Sequence, residues 1–229
     1  LTGTLDGSQT HKLVLEGLFG TAEKVVSTKE LIDKKTLANL KIKCIVLKHP
    51  TKKERMDYVE EMDYIVSRES RNKFILDLCK NISGNTLCLF QLVEKHGKIL
   101  HDGMKGGENV YFVYGGTDTE QREKIRGLVE GHTKSTTIAS YGTFSTGINI
   151  RNINNIVLAS PSKSKIRVLQ SIGRGLRTSS TKDSILIFDI ADDISYGERR
   201  NFTLNHFFER INIYNEEQFN YEISKVKIK

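Results

Sequence analysis

The residues best suited to chemistry are Gln170, Gly173, Arg174 and Arg177, within the run Q-S-I-G-R-G-L-R. They stand at i, i+3, i+4 and i+7, so on a helix one amide and two guanidinium groups share a stripe. Like charges one turn apart repel, and Gly173 and Gly175 each cost roughly 1 kcal/mol relative to Ala in a helix interior. A helix that accepts both penalties needs something anionic to face. Triphosphate fits, because the planar guanidinium fork matches phosphate oxygens and stays charged at any working pH. Taken alone, two arginines on a helix are also what a solvated basic face looks like.

A second cluster precedes this stripe. In Ala139–Asn149, A-S-Y-G-T-F-S-T-G-I-N, an apolar strand runs into a loop dense with Ser, Thr and Gly. Gly147 permits close backbone approach or a positive φ. Asn149 offers a donor and an acceptor to a ribose or a neighbouring arginine. Ser140, Tyr141, Thr143 and the loop amides can hold a nucleic-acid phosphate. As a lone loop, the same residues are also an ordinary turn.

The elements that must position these groups alternate along the chain. Helical spacing over Arg68–Ile82, Leu92–Gly103, Asp118–Gly131 and Ser164–Arg177 alternates with short apolar runs at Thr86–Phe90, Val110–Tyr114, Thr136–Ser140, Ile156–Ala159 and Ser184–Asp189. Lys41–Leu47 reads as one more strand. Apolar strands alternating with helices predict an α/β fold, a parallel sheet with helices on both faces. Its functional groups are expected at the carboxyl ends of the strands. Asp118 or Thr117 is expected to cap the third helix, which Gly131 closes. Lys29–Leu37 has a short helical run, and Thr51–Ser67 shows a helical tint without a clear core face, so it is expected as a surface excursion. Gly197–Ile213 and Glu216–Val226 are expected as aromatic-rich helices packing back on the sheet.

Lys and Arg exceed Asp and Glu by seven, 35 against 28, in 229 residues. That excess favours an acidic partner, nucleic acid before a membrane surface. Cys44, Cys79 and Cys88 form no C-x-x-C pair, and two lie in apolar runs. Buried, reduced thiols in a cytoplasmic protein are expected, with no structural zinc. No apolar stretch approaches the ~18 residues of a membrane span, and no secretory signal is visible. The chain opens Leu1-Thr2-Gly3-Thr4 without Met, as expected of a piece of a longer protein.

The ordered combination is specific where each part is not. An apolar strand, Gly115-Gly116-Thr117-Asp118 with Arg122, the T-G-I-N loop and Q-x-x-G-R-x-x-R together resemble the second motor domain of superfamily 2 helicases. Thr86–Gln91, Gly115–Arg122, Ser140–Asn149 and Gln170–Arg177 are similar to that family's motifs IV, IVa, V and VI. Leu1–Leu5 resembles motif III, the last motif of the first motor domain. Within the family, Ala139–Gly147, Ser164–Arg174 and Glu217–Tyr221 are most similar to phage DNA branch-migration helicases.

The resemblance implies a RecA-like lobe over residues 41–229, with a helical extension from about 194, and residues 1–40 as a motif III remnant and inter-lobe connection. It implies an ATP-dependent DNA helicase acting on branched DNA in recombination, repair or fork rescue, in the host cytoplasm if phage-encoded. Arg174 and Arg177 would act as arginine fingers on the γ-phosphoryl, worth about 10³–10⁵ in rate in such enzymes. Gln170 would contact the γ-phosphate or the opposite lobe, and Gly147, Asn149 and Gly173 would lie at the nucleotide. Gln91, Gly116, Thr117, Ser140, Tyr141 and Thr143 would contact the backbone of one strand, without sequence specificity and with salt-dependent affinity. His96 is open between a strand contact and a structural role. Lys163, Lys165 and Arg167 are open between a basic contact surface and plain solvation.

No G-x-x-x-x-G-K-[ST] and no D-E-x-[DH] box occurs in the chain. ATP and Mg²⁺ would therefore be held mainly by a separate N-terminal lobe, and the chain alone is expected to be inactive. Asp189, Asp192 and Asp193 could be read as a magnesium site, but are expected to end a strand and cap the next helix. The competing class is a non-catalytic nucleic-acid-binding or regulatory module with the same fold, which need not keep both arginines. A nucleotide-binding α/β domain unrelated to helicases should carry a glycine loop after its first strand, and none is visible.

Overall fold

The computed structural model describes residues 17–18, 28–34, 38–50, 56–146, 150, 152–162, 184–195 and 199–229. Gly147, Asn149, Gln170, Gly173, Arg174 and Arg177 lie outside the described residues, as do Lys163, Lys165 and Arg167. The elements in chain order are α1 (Thr28–Asp33), β1 (Asn39–Lys48), α2 (Tyr58–Ser67), α3 (Glu69–Asn81), β2 (Asn85–Phe90), a π-helical turn (Val93–Gly97) and α4 (Lys98–Asp102). Beyond these come β3 (Val110–Val113), α5 (Thr119–Gly131), β4 (Ser135–Ser140), α6 (Tyr141–Thr146), β5 (Asn155–Leu158), β6 (Ser184–Asp193), α7 (Phe202–Glu216) and β7 (Tyr221–Lys227).

The strands form one seven-stranded sheet in the order β3-β4-β2-β5-β6-β1-β7. Every pairing is parallel, so the carboxyl ends of all seven strands lie along one rim. β2 is buried at all six positions because it is central in the sheet and covered on both faces. Its side chains alternate between two cores. Leu87 and Leu89 join Ile125 and Val129 of α5 and Leu204, Phe207, Ile211 and Tyr214 of α7. Cys88 and Phe90 join Ile75 and Cys79 of α3 and Leu100 of α4. Each large apolar side chain so buried contributes about 1.5–3 kcal/mol. Cys44, Cys79 and Cys88 are buried and free.

Four expectations are corrected. Residues 58–67 form a helix with a core face rather than a surface excursion, burying Met62, Ile65 and Val66. It starts at a capping box: Asp57 accepts from the amides of Val59 and Glu60, and Glu60 reaches back to the Asp57 amide. The charge that blurred its pattern is also functional, because buried Glu61 accepts from the amides of Phe202 and Thr203 and so caps α7.

Residues 92–103 are a π-helical turn followed by a short helix, rather than one helix. Asp189 and Asp192 do not cap a helix. β6 runs on to Asp193, and both carboxylates are fully buried within it. Residues 221–227 are a strand, not a helix: Gln218 turns the chain with φ 57° after α7, and β7 then pairs with β1. As an edge strand it is exposed at most positions, so it lacks a continuous apolar run. As expected, Asp118 caps α5, accepting from the Gln121 amide at 2.7 Å.

Candidate functional site

The rim of carboxyl ends gathers the described part of every motif. After β2, Gln91 is exposed while its amide donates to Ser160 Oγ at 3.1 Å, so its backbone is fixed and its side chain faces out. After β3, Gly115 and Gly116 form an exposed turn. Thr117 is turned inward, and its hydroxyl accepts from the Tyr114 amide at 3.1 Å to hold that turn shut. Arg122 donates to the Gly115 carbonyl at 3.1 Å, which orients the turn from α5. A Cβ on Gly116 would come 2.7 Å from the Tyr114 ring, so any larger residue here requires that ring to move. A groove of about 570 Å³ leads from Gly116 and Thr117 along β3, past Tyr114 and Lys124.

After β4, Ser140, Tyr141 and Thr143 are buried. The hydroxyls of Ser140 and Thr143 bond each other at 2.8 Å, and Ser140 Oγ also accepts from the Thr143 amide. Tyr141 donates its phenol to the Ser160 carbonyl at 3.0 Å. Of the six expected strand contacts, the structure therefore sets Gln91 and Gly116 at the surface and uses Thr117, Ser140, Tyr141 and Thr143 to hold the loops behind them.

The segment after β5 is held most heavily. Ala159 accepts at its carbonyl from Arg71 Nη2 at 2.7 Å. Ser160 accepts from Tyr141 at its carbonyl and meets His96 Nδ1 at its hydroxyl, 2.9 Å away. Ser162 accepts at its carbonyl from Arg210 Nη1 at 2.9 Å. Side chains from α3, the π-helical turn, α6 and α7 thus converge on residues 159–162, which lead directly into the segment bearing Gln170, Arg174 and Arg177.

Two of those side chains are buried arginines, which sequence reasoning missed. Arg71 grips Asp192 through Nε and Nη2 at 2.8 and 2.9 Å, and His49 Nε2 adds a contact to the same carboxylate at 2.8 Å. Burial alone would raise the Asp192 pKa, but Arg71 and the His49 hydrogen bond outweigh it and hold the group at about 2. Arg210 grips Asp189 with Nε and Nη2, and Tyr214 donates its phenol to the same carboxylate at 2.8 Å. Burial opposes the Arg210 charge, yet Asp189 more than restores it and keeps the guanidinium pKa raised. Burial and the nearby Asp189 raise that of the Tyr214 phenol. His96 is fully buried, which decides its open role in favour of structure: burial, then Arg71, pull its pKa down to about 3.

Residues 70–179 match the family described as helicase conserved C-terminal domain. The chain carries a helicase C-terminal domain with a RecA-like fold. The matched stretch of this helicase domain contains Arg71, Gln91, His96, Gly116, Ser160 and the Gln170–Arg177 run. Over all of its length the chain is 34% identical to the ATP-dependent DNA helicase UvsW of Enterobacteria phage T4, and it covers 49% of that protein. A crystal structure of T4 UvsW superposes with a TM-score of 0.71 at 36% identity, covering 83% of this chain and 42% of that one. The C-terminal domain of the DEAD-box protein Dbp5 superposes with a TM-score of 0.54 at 13% identity, covering 85% of this chain and 92% of that one. That likeness is one of fold. The helicase domain spans about half the length of UvsW.

Proposed function

We propose that this chain is the C-terminal motor half of an ATP-dependent DNA helicase or translocase acting on branched DNA. Arg174 and Arg177 serve as arginine fingers, Gln170 contacts the γ-phosphate or the facing lobe, and Gly147, Asn149 and Gly173 lie at the nucleotide. The observation that carries the reading is the convergence of Arg71, His96, Tyr141 and Arg210 on residues 159–162. Four buried side chains hold residues 159–162 in advance at the rim, and charge stabilisation in a transition state calls for groups that are held in advance. The relation to UvsW over the whole chain supports the DNA and ATP parts.

Bound ATP would supply the phosphoryl bond whose cleavage drives the motor cycle. On this side of the cleft the work is positional: a guanidinium on one body meets the triphosphate held on another only when the two close. Among the described residues no group of three acidic, His or Cys side chains could hold a metal, and Asp189 and Asp192 are committed to arginines. These residues do not fit Mg²⁺, and the proposal leaves the ion to an N-terminal lobe. The exposed Gln91 and Gly116 turns contact one strand's phosphates and sugars, with Thr117, Ser140, Tyr141 and Thr143 fixing the loops that carry them.

The test is ATP hydrolysis by the chain alone and after joining to a lobe with a Walker loop. Turnover stimulated by DNA should arise only in the joined protein. Robust hydrolysis by residues 1–229 alone would sink the proposal. DNA binding without any turnover in the joined protein would point to the non-catalytic module.

A further inference from the structure

β3 stands at one edge of the sheet, so no further strand closes the groove of about 570 Å³ that runs along it. A ladder of rings leads from the core into this groove. Phe90, fully buried in β2, stacks on Phe112 of β3 with centroids 5.6 Å apart and planes 15° apart. Phe112 in turn packs against His101 at 5.0 Å and Tyr114 at 5.3 Å. These last three rings are half-buried and line the groove. Tyr114 is the rung beside the Gly115-Gly116 turn, where the missing side chain of Gly116 lets ring and turn lie in contact.

The facing wall is α5, which presents exposed Gln121, Lys124 and Leu128 at i, i+3 and i+7. Lys124 differs from the other cations on the flanking elements. Lys95, Lys98, Lys105 and Arg126 are paired with Asp63, Glu94, Asp102 and Glu123 respectively. Arg122 is committed to the Gly115 carbonyl. Among the described residues Lys124 has no carboxylate partner, and neither the Gln121 side-chain amide nor the Tyr114 phenol has a hydrogen bond. Rings on one wall and an uncommitted ammonium on the other are complementary to a flat apolar group joined to an anion. A nucleotide has that composition, in its base and its phosphate.

We propose that this groove takes one unpaired base of a DNA strand, stacked on Tyr114, with Lys124 on the adjoining phosphate. The proposal rests on the reading that the Gly116 turn contacts a strand, and adds a base contact where that reading gives only phosphate and sugar. Every base has a π-face, so such a site holds a strand without reading its sequence. In a duplex both faces of a base are covered by its stacked neighbours, so the groove selects single-stranded over double-stranded DNA.

The test measures binding of the full 229-residue chain to oligothymidylate and to a strand of equal length and charge whose sugars carry no bases. The wild type should bind the intact strand at least about tenfold more tightly, the scale of one base stacked on an aromatic ring. Tyr114→Leu should weaken binding to the intact strand about tenfold and leave the abasic strand within about twofold. Tyr114→Phe should keep the preference, because the ring face and not the hydroxyl is used. Lys124→Gln should weaken both strands alike and reduce the slope of log affinity against log salt by about 0.7.

Equal affinity of the wild type for the two strands would overturn the proposal and leave the backbone contact at Gly116 standing; this comparison needs no variant to fold. An equal loss on both strands in Tyr114→Leu would also overturn it, marking the ring as a support for the turn. So would loss of the preference in Tyr114→Phe. If the chain binds neither strand, the strand-contact reading has failed and the proposal falls with it.

Discussion

Arg210 donates to the carbonyl oxygen of Ser162 across 2.9 Å, although the two residues stand 48 positions apart. The same guanidinium is locked to Asp189 of β6, so α7 bridges the end of β5 to the interior of the sheet. A helix beyond the last motif in the chain thereby helps fix the segment that precedes that motif. The link is electrostatic and buried, which makes it rigid and makes its loss costly.

Arg210→Met leaves Asp189 buried with the Tyr214 phenol in place of a full countercharge. Removing one partner of a buried pair costs about 3–5 kcal/mol. Urea unfolding of the chain should show that loss. Arg210→Met combined with Asp189→Leu should be less unstable than the sum of the two single changes, since the second change removes the stranded charge.

The parallel sheet and the cap at Asp118 were legible because local pattern carries them: apolar runs for central strands, Asp before an acidic first turn for the helix. The buried ion pairs were not. Arg71 sits in R-E-S-R-N-K, which locally looks like a solvated face, and its partner Asp192 is 121 positions away. Nothing in either neighbourhood marks the pairing. β7 was misread for a related reason: an edge strand buries few side chains, so its alternation is weak beside that of a central strand such as β2. At the rim, order and spacing named the candidate residues, but which of them face outward was not legible. Ser, Thr and Tyr serve equally well as phosphate contacts and as loop fasteners, and only the partners of Thr117, Ser140 and Tyr141 separate the two.

Stability should fall on mild acidification through His96. Its pKa is about 3 in the folded chain against an ordinary 6.5, so the unfolded chain binds a proton that the native one refuses. The contribution is complete above about pH 6.5 and is lost as pH falls toward 3, by up to about 1.4 kcal/mol per pH unit. Asp192, also depressed, holds its contribution above about pH 4 and loses it as pH falls toward 2. Between pH 7 and 5 the His96 share is therefore about 1–2 kcal/mol. Denaturant unfolding at several pH values should give a slope in this window that His96→Asn reduces by up to one proton.

Gly97→Ala should be poorly tolerated although Gly97 lies in a helical turn, where alanine is normally preferred. A Cβ at this position would stand 2.5 Å from the Phe90 ring, which is fully buried and stacked on Phe112. Overpacking of this kind costs about 1–3 kcal/mol, against the roughly 1 kcal/mol that alanine would otherwise gain in a helix. The net effect should be destabilising in thermal melts. Phe90→Leu should relieve much of it by clearing the ring.

Arg177→Ala separates the finger role from a strand contact. Charge stabilisation in the transition state predicts a fall in ATP turnover of about 10³-fold or more in the two-lobed protein. The DNA Kd should move by no more than about twofold, because the proposed finger acts on the triphosphate rather than the strand. Lysine at this position should rescue little, since it keeps the charge but not the planar fork. Gln91→Ala should behave in the opposite way, weakening DNA binding while turnover at saturating DNA stays close to wild type. Turnover and DNA affinity falling together in Arg177→Ala would place Arg177 on the strand and leave Arg174 as the sole candidate finger.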